Sequence, residues 1–313
     1  MRRIDLTGGR RNKRLVVRAY RDWQGLNSSN SWWKNHDEAT MTNVEKICPD
    51  LHLLDIQTNP TIQNTYAQDA GIDGSRFEYN NLAKTTIKLR FWLHWSTYDD
   101  YIDKNHDIQA YFAAKARFII QTSYHPALHA ACYTSKVDMN LPEDHADLHD
   151  LVFDVELDNA LGMWFTNSTD WIEKHWDNYM NSDFRLPNNA TIDQLHWNLT
   201  AGSNKVYIPG DVMQQMTNPA MSTTITVNGA ASGVKIFNKT SNTFLEAHDD
   251  KTSKTKVPSS ITWYNLNLCD SNDHAINQCS NSLDFWLDPG WNEIVLSNAS
   301  SAYINTNFYF TNF

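Results

Sequence analysis

The stretch "TTIKLRFWLHW", residues 85–95, constrains the fold more than any other. Ile87, Leu89, Phe91, Leu93 and Trp95 fall on one side of an extended chain. Lys88, Arg90, Trp92 and His94 fall on the other. Strict alternation over this length predicts a strand with one face in a core and one in water. The next residues, "STYDDYIDKNHDIQAYFAAKA", change period. Ser96 or Thr97 can cap a helix, with Asp99 or Asp100 three residues on in the place of a capping-box Glu. Tyr98, Tyr101, Ile102, Tyr111 and Phe112 give an apolar stripe, so one helix is expected over about 97–114.

Strands follow. "RFIIQ" reads as a short strand and Pro126 as a turn; "HAACYTSKV" and "LHDLVFDVELD" read as two more strands. In the last, Leu151, Phe153, Val155 and Leu157 share one face, and Asp150, Asp154, Glu156 and Asp158 the other. Upstream, "RLVVRAYRDW" also reads as a strand. After about residue 160 the character changes. "TNSTDWIEKHWDNYMNSDF" is a loop or short helix. From residue 185 on, only short strands between turns are visible: "STTITVNG", "GVKIFNKT", "NTFLEAH", "SSITWYNLNL", "SLDFWLDPG", "NEIVLS" and "AYINTNFYF". The expected class is mainly β, with one helix in an α+β N-terminal half, residues 1–160, and an all-β sandwich over 161–313. In the sandwich Trp263, Phe285 and Phe308 are expected in the core. Trp286 and Trp291 are the candidates for an outward contact surface.

Charge is unevenly spread. The net value is −10, yet Arg2, Arg3, Arg10, Arg11, Lys13, Arg14, Arg18 and Arg21 face only Asp5 in the first 21 residues. A basic arm suits nucleic acid or an acidic partner. A solvated first strand and turn is the favoured reading, and the acidic remainder argues against sequence-specific nucleic-acid binding. No run approaches the ~18 apolar residues of a membrane span, and the basic start lacks the apolar core of a signal peptide. The Asn-x-Ser/Thr matches at Asn27, Asn167, Asn189, Asn198, Asn238 and Asn298 then read as chance. Four cysteines, Cys48, Cys132, Cys269 and Cys279, are too few for a disulfide framework in 313 residues. Cys269 and Cys279 could pair locally, but reduced thiols are expected.

The chemical motifs fail one by one. In "DAGIDGSRFEY", residues 69–79, Gly71 and Gly74 stand three apart without a third glycine, and a strand follows instead of a helix. A dinucleotide fingerprint needs both. Asp73–Gly74 reads as a turn leading into strand 85–95. His125/His129 and His145/His149, with Cys132 nearby, have four-residue spacing. On strands that spacing spans about 13 Å, so structural histidines are expected and no metal. Asp154 and Glu156 lie two apart on one strand face, within reach of a glycosidase carboxylate pair. Laminarinase-type enzymes carry Glu-x-Asp-x-x-Glu, and "ELDNAL" puts Leu161 at the second Glu. No catalytic residue, cofactor site or metal site is assigned, and an enzyme is not expected.

Three stretches in order resemble the distal tail protein (Dit) family of siphophages that infect Gram-positive bacteria. "AGIDGSRFEY" is similar to the family's Gly-x-Asp-Gly turn before the main strand. "IKLRFWLHWSTYDDYIDKNHDIQAYF" is similar to its strand running into a Tyr-rich helix. "LDPGWNEIVLS", residues 287–297, is similar to its Pro-Gly-x-Asn turn. The resemblance implies a ring-forming belt domain over 1–160 and a galectin-like sandwich over 161–313. It implies a structural role in the virion, at the distal end of the tail, after assembly in the host cytoplasm. Its implied partners are itself, as a homo-hexameric ring, the tail tube protein and the tail-associated hub protein, with a receptor-binding protein as a further neighbour. It implies no membrane partner. Gly71, Asp73, Gly74, Pro289 and Gly290 then act as structural turns. A carbohydrate-binding, lectin-like module for host recognition is the alternative.

Overall fold

A computed structural model of the chain describes residues 15–22, 41–68, 73–141, 148–175, 194–218, 220–282 and 284–312. The backbone forms two compact units. One runs to Trp164 and takes in the last residues from Thr311; the other holds Phe165–Phe310.

In the first unit the strands are β1 (Val17–Asp22), β2 (Thr42–Asn43), β3 (Leu51–Thr58), β4 (Ile62–Ala67), β5 (Arg76–Leu82) and β6 (Thr85–His94). Helix α1 (Tyr98–Phe112) follows, then β7 (Arg117–Thr122), β8 (His129–Asp138) and β9 (Asp150–Asn159). The main sheet runs β2-β1-β7-β8-β9-β6-β3, and β4 pairs with β5 as a separate two-stranded sheet. The alternation in β6 does what its pattern dictates. Antiparallel register sets Ile87 opposite Leu157, Leu89 opposite Val155 and Phe91 opposite Phe153. All six are buried. Each such side chain contributes about 1.5–3 kcal/mol of burial, so this strand pair is the spine of the unit. Helix α1 covers it: Phe112 lies 5.9 Å from Phe91 and 6.0 Å from Phe118.

The capping of α1 differs by one residue from a capping box. Thr97 Oγ1 accepts from Asp100 N at 3.2 Å. Asp100 Oδ2 reaches back past Thr97 to accept from Ser96 N at 3.0 Å. The apolar stripe differs too. Tyr101, Lys104, Ile108 and Phe112 are the buried positions, while Tyr98 and Ile102 are exposed. Stepping back from Phe112 by three or four residues lands on 108, 104 and 101, so Ile102 falls off the core side and a lysine falls on it. Lys104 is tolerated there because Nζ donates to Asp50 Oδ2 (3.0 Å), His94 O (2.9 Å) and Asp100 Oδ2 (3.0 Å). One ammonium thus ties the helix to both strands at one end of the β3–β6 pair, where His94 N donates to Asp50 O. Burial works against its charge, but the two carboxylates hold it above the ordinary lysine value.

At the boundary lies β10 (Trp164–Phe165). Within the second unit come α2 (Thr169–Lys174), β11 (Asn198–Ile208), β12 (Gln214–Gln215), β13 (Thr223–Asn228), β14 (Val234–Asn238), β15 (Thr243–Ala247), β16 (Ser260–Tyr264), β17 (Asn267–Asp270), β18 (Trp286–Leu287), β19 (Gly290–Thr306) and β20 (Tyr309–Phe310). The sheet order is β15-β14-β19-β13-β16-β17, with β11 also on β19 and β12 pairing β18. The 17-residue β19 organises the unit. Its first half lies between β11 and β14, its second half beside β13, so one strand serves two halves of a curled sheet. "NEIVLS" and "AYINTNFYF" were expected as separate strands. They join because Asn298 takes a left-handed φ of 55° inside the strand, and its Nδ2 donates to Gly233 O at 2.8 Å. "SSITWYNLNL" divides instead, at Asn265 (φ 53°), into the hairpin β16–β17. Trp263, Phe285 and Phe308 are fully buried as expected, but only Trp263 lies on a strand: Phe285 precedes β18, and Phe308 belongs to the continuously buried run from Thr306 to Phe310 between β19 and β20. The chain is therefore mainly β: an α+β unit followed by a β-sandwich unit.

Candidate functional site

The Asp73–Gly74 turn does not lead straight into β6, as the sequence suggests. It leads into β5, which returns along β4 before β6 begins. The backbone continues the β3–β6 hairpin outward: Ala83 N donates to Thr61 O at 2.8 Å, and Ile62 opposite Leu82 starts the next stretch of ladder. Residues 62–67 and 76–82 thus form an arm whose residues are almost all exposed or half-exposed. Gly74 has φ +96°, and a Cβ there would meet nothing within 4 Å. Gly71 lies outside the described residues.

The second candidate turn is built around an amide. Asp288 and Pro289 connect β18 to β19, which opens on Gly290 (φ +87°). Asn292 is fully buried. Its Oδ1 accepts from Asp288 N at 3.0 Å, and its Nδ2 donates to Asp288 O at 2.7 Å and Gly290 O at 3.2 Å. Asn238 Nδ2 donates both to Asn292 Oδ1 and to Trp286 O, at 2.9 Å each. The Asn of Pro-Gly-x-Asn is therefore the clamp of its own turn. Asn238, which the sequence marks only as a chance Asn-x-Ser/Thr match, locks it to β14.

Trp286 is half-buried and faces Gln215 across the β12–β18 pair. Trp291 is 50% exposed and faces Tyr207, the rings meeting edge to face at 5.2 Å. The two tryptophans thus stand in different ladders. Beside Trp291 on the same strand face, Glu293 accepts from Ser203 Oγ at 2.9 Å and Lys239 Nζ at 2.6 Å. Lys239 first, with Ser203, holds its carboxyl below the usual range.

The rejected chemistries meet the following geometry. Asp154 is ion-paired to Lys88 at 2.8 Å and Arg90 at 3.8 Å, in a charged ladder across β6 and β9. His149 Nδ1 lies 3.1 Å from Trp95 O, His129 is fully buried at the start of β8, and His145 lies outside the described residues. Among the described residues no group of three His, Cys, Asp or Glu could hold a metal ion. Glu173 is the described carboxyl that burial pushes upward; it accepts from Tyr303 Oη at 3.0 Å and fastens α2 to β19. All four cysteines are free and buried. Burial raises the Cys48 thiol to about 11 and pushes Cys132 and Cys269 up as well. Such thiols are poor nucleophiles. No described helix is long and apolar enough to cross a membrane. Of the basic N-terminal residues, Arg18 and Arg21 lie on β1, with Arg21 over the Tyr111 ring at 4.6 Å, and residues 1–14 lie outside the described ones.

No protein-family description matches the sequence, and no curated protein matches it. Similarity is found in three dimensions. The chain is similar to the Dit protein of phage SPP1, a paradigm of the hub adsorption apparatus in phages infecting Gram-positive bacteria. The TM-score is 0.57 at 11% identity, covering 94% of this chain and 99% of that one. Chains of the phage p2 baseplate in its activated conformation, with Sr and with Ca, align over 94% and 95% of this chain at 12% identity. Their TM-score is 0.37. At 11% identity the likeness to SPP1 Dit is one of fold, and it takes in both units.

Proposed function

We propose that the chain is a structural protein of a phage tail. It forms a ring at the distal end of the tail tube, an adaptor between the tube and the tail-tip or baseplate hub during host attachment. The observation that carries this reading is the end-to-end fold likeness to SPP1 Dit, which spans 94% of this chain and 99% of that one. Residues 1–160 act as the belt, building a homo-hexamer through head-to-tail contacts, since closed heterologous contacts make rings. Residues 161–313 form the galectin-like sandwich. Tail tube and hub proteins are the neighbours on either side, and receptor-binding proteins a further one. The protein acts in the virion and is assembled in the host cytoplasm. It needs no cofactor and catalyses no reaction. Asp73, Gly74, Pro289 and Gly290 set turns, and Trp286 and Trp291 contact neighbouring tail proteins. Antibody labelling of intact particles by electron microscopy tests this: the label belongs at the distal tail, and a label on the capsid or none on the particle refutes it.

Lectin-like recognition is the second reading. The exposed Trp291 ring beside the fixed Glu293 and Lys239 favours it, because sugar sites pair a ring face with anchored polar groups. Saturable binding of host cell-wall saccharide, lost in Trp291→Ala, would support it over protein contact.

A further inference from the structure

Asn228–Gly229 is the one Asn-Gly pair in the sequence. It stands at the end of β13, where Asn228 pairs with Ser260 of β16 and with Ser301 of β19. Asn228 is exposed, and its Oδ1 accepts from Ser260 Oγ at 3.3 Å. A donor on that oxygen favours the negative charge that develops there when Cγ is attacked. Gly229 leaves the strand at φ +66°, and among the described residues nothing accepts from its N–H. A Cβ at 229 would lie 2.2 Å from Ser300 Oγ and 2.8 Å from Ser300 Cβ. The fold therefore requires, directly after Asn228, the residue that crowds its own backbone nitrogen least. The electrophile is polarised, the nucleophile is uncommitted, and no side chain at 229 stands between them.

We propose that Asn228 is a site of spontaneous modification: the folded chain converts it to aspartate and isoaspartate, and the conversion releases the turn that follows. Gly229 N attacks Asn228 Cγ and gives up its proton. The Cγ–Nδ2 bond breaks, and Nδ2 leaves with that proton as ammonia. The succinimide so formed takes up one water. Opening at the side-chain carbonyl leaves aspartate; opening at the main-chain carbonyl leaves isoaspartate, with an extra methylene in the backbone. The consequence reaches β19, because residues 229–233 are held to its bend. Ala231 N donates to Asn298 O at 3.0 Å, and Asn298 Nδ2 donates to Gly233 O at 2.8 Å. Toward β16, Ala230 N donates to Ser259 O at 2.9 Å. Sheet register is set by spacing along the backbone, so a methylene inserted between 228 and 229 puts all three bonds out of step. Asn298 then loses the partners that hold its left-handed φ inside the strand.

The test uses the full folded chain, aged in neutral buffer at constant temperature. Peptide mass spectrometry follows the amide-to-acid change at each asparagine, and labelling by an isoaspartyl methyltransferase detects the rearranged product. Asn228 should convert before every other asparagine, with isoaspartate appearing beside aspartate. Ser260→Ala should slow it about 2- to 10-fold, the effect of one hydrogen bond. Ser260→Thr, which keeps the hydroxyl, should run at the parent's rate. In urea, where unfolding separates Ser260 from Asn228, the parent and Ser260→Ala should convert alike. Another asparagine converting first, or equal rates for the folded parent and folded Ser260→Ala, overturns the modification site. Amide hydrogen exchange at Ala230 and Ala231 should be faster in the aged protein than in the fresh one. Unchanged exchange at both, once Asn228 has converted, overturns the release of the turn.

Discussion

Gly162→Ala should destabilise the protein far more than Gly74→Ala, although both glycines have positive φ. At Gly162 φ is +68°, and at Gly74 +96°. An L-residue pays about 1–2 kcal/mol for such a backbone. There the likeness ends. A Cβ at 162 would lie 2.2 Å from Ala83 O and 3.1 Å from Ala83 C; at 74 it would meet nothing within 4 Å. Ala83 belongs to the root of the arm, where its N–H is bonded to Thr61 O, so the backbone cannot yield freely. Overpacking of this kind adds about 1–3 kcal/mol. The expected costs are about 2–5 kcal/mol at 162 and about 1–2 kcal/mol at 74. Urea unfolding reads both, from the shift in midpoint at constant slope. Equal costs, or a larger cost at 74, would refute the argument that close backbone approach fixes glycine at 162.

Lys104→Met should cost about 2 kcal/mol, since His94 O and the two carboxylates lose their donor and the carboxylates are only partly shielded from water. Hydrogen bonds from Ser96 N and Lys104 hold the Asp100 carboxyl below its ordinary value. Its stabilisation is therefore present above the unfolded-state pKa and lost as pH falls through the lowered folded value; an acid titration of stability should show a smaller loss in Lys104→Met than in the parent. Asn292→Ala should cost about 3 kcal/mol by stranding several buried groups of the 288–292 turn, with faster amide exchange at Asp288; a cost under about 1 kcal/mol would show that the clamp is dispensable. Ellman's reagent should react slowly with the native protein and count four thiols after denaturation, whereas a count of two would establish a disulfide.

How far the sequence led depends on the element. Strands β6 and β9 were legible because one face is buried and the other wet, which is the condition under which alternation survives. Helix α1 was legible in extent but not in facing, because a lysine with three acceptors occupies a core position that hydropathy reads as outside. The arm is invisible in the sequence: with both faces exposed, β4 and β5 carry no alternation, and the Gly74 turn reads as leading into β6. The eleven-residue β11 was missed for a related reason, a register shift between Thr200 and Gly202. Two short strands were read where β19 is one, because Asn298 looks like a turn residue and here sits within a strand. Gly74 and Gly290, legible in the sequence as turn residues, both take a positive φ. The role of the buried Asn238 is not legible, since nothing local distinguishes a clamping amide from a solvated one.

The mass of the purified chain in solution tests the central claim most directly. Light scattering on a sizing column, with electron microscopy of the same fraction, should give six times the 36.1 kDa chain mass and closed rings. A single chain mass at every concentration, together with no ring of this protein in assembled particles, would contradict it.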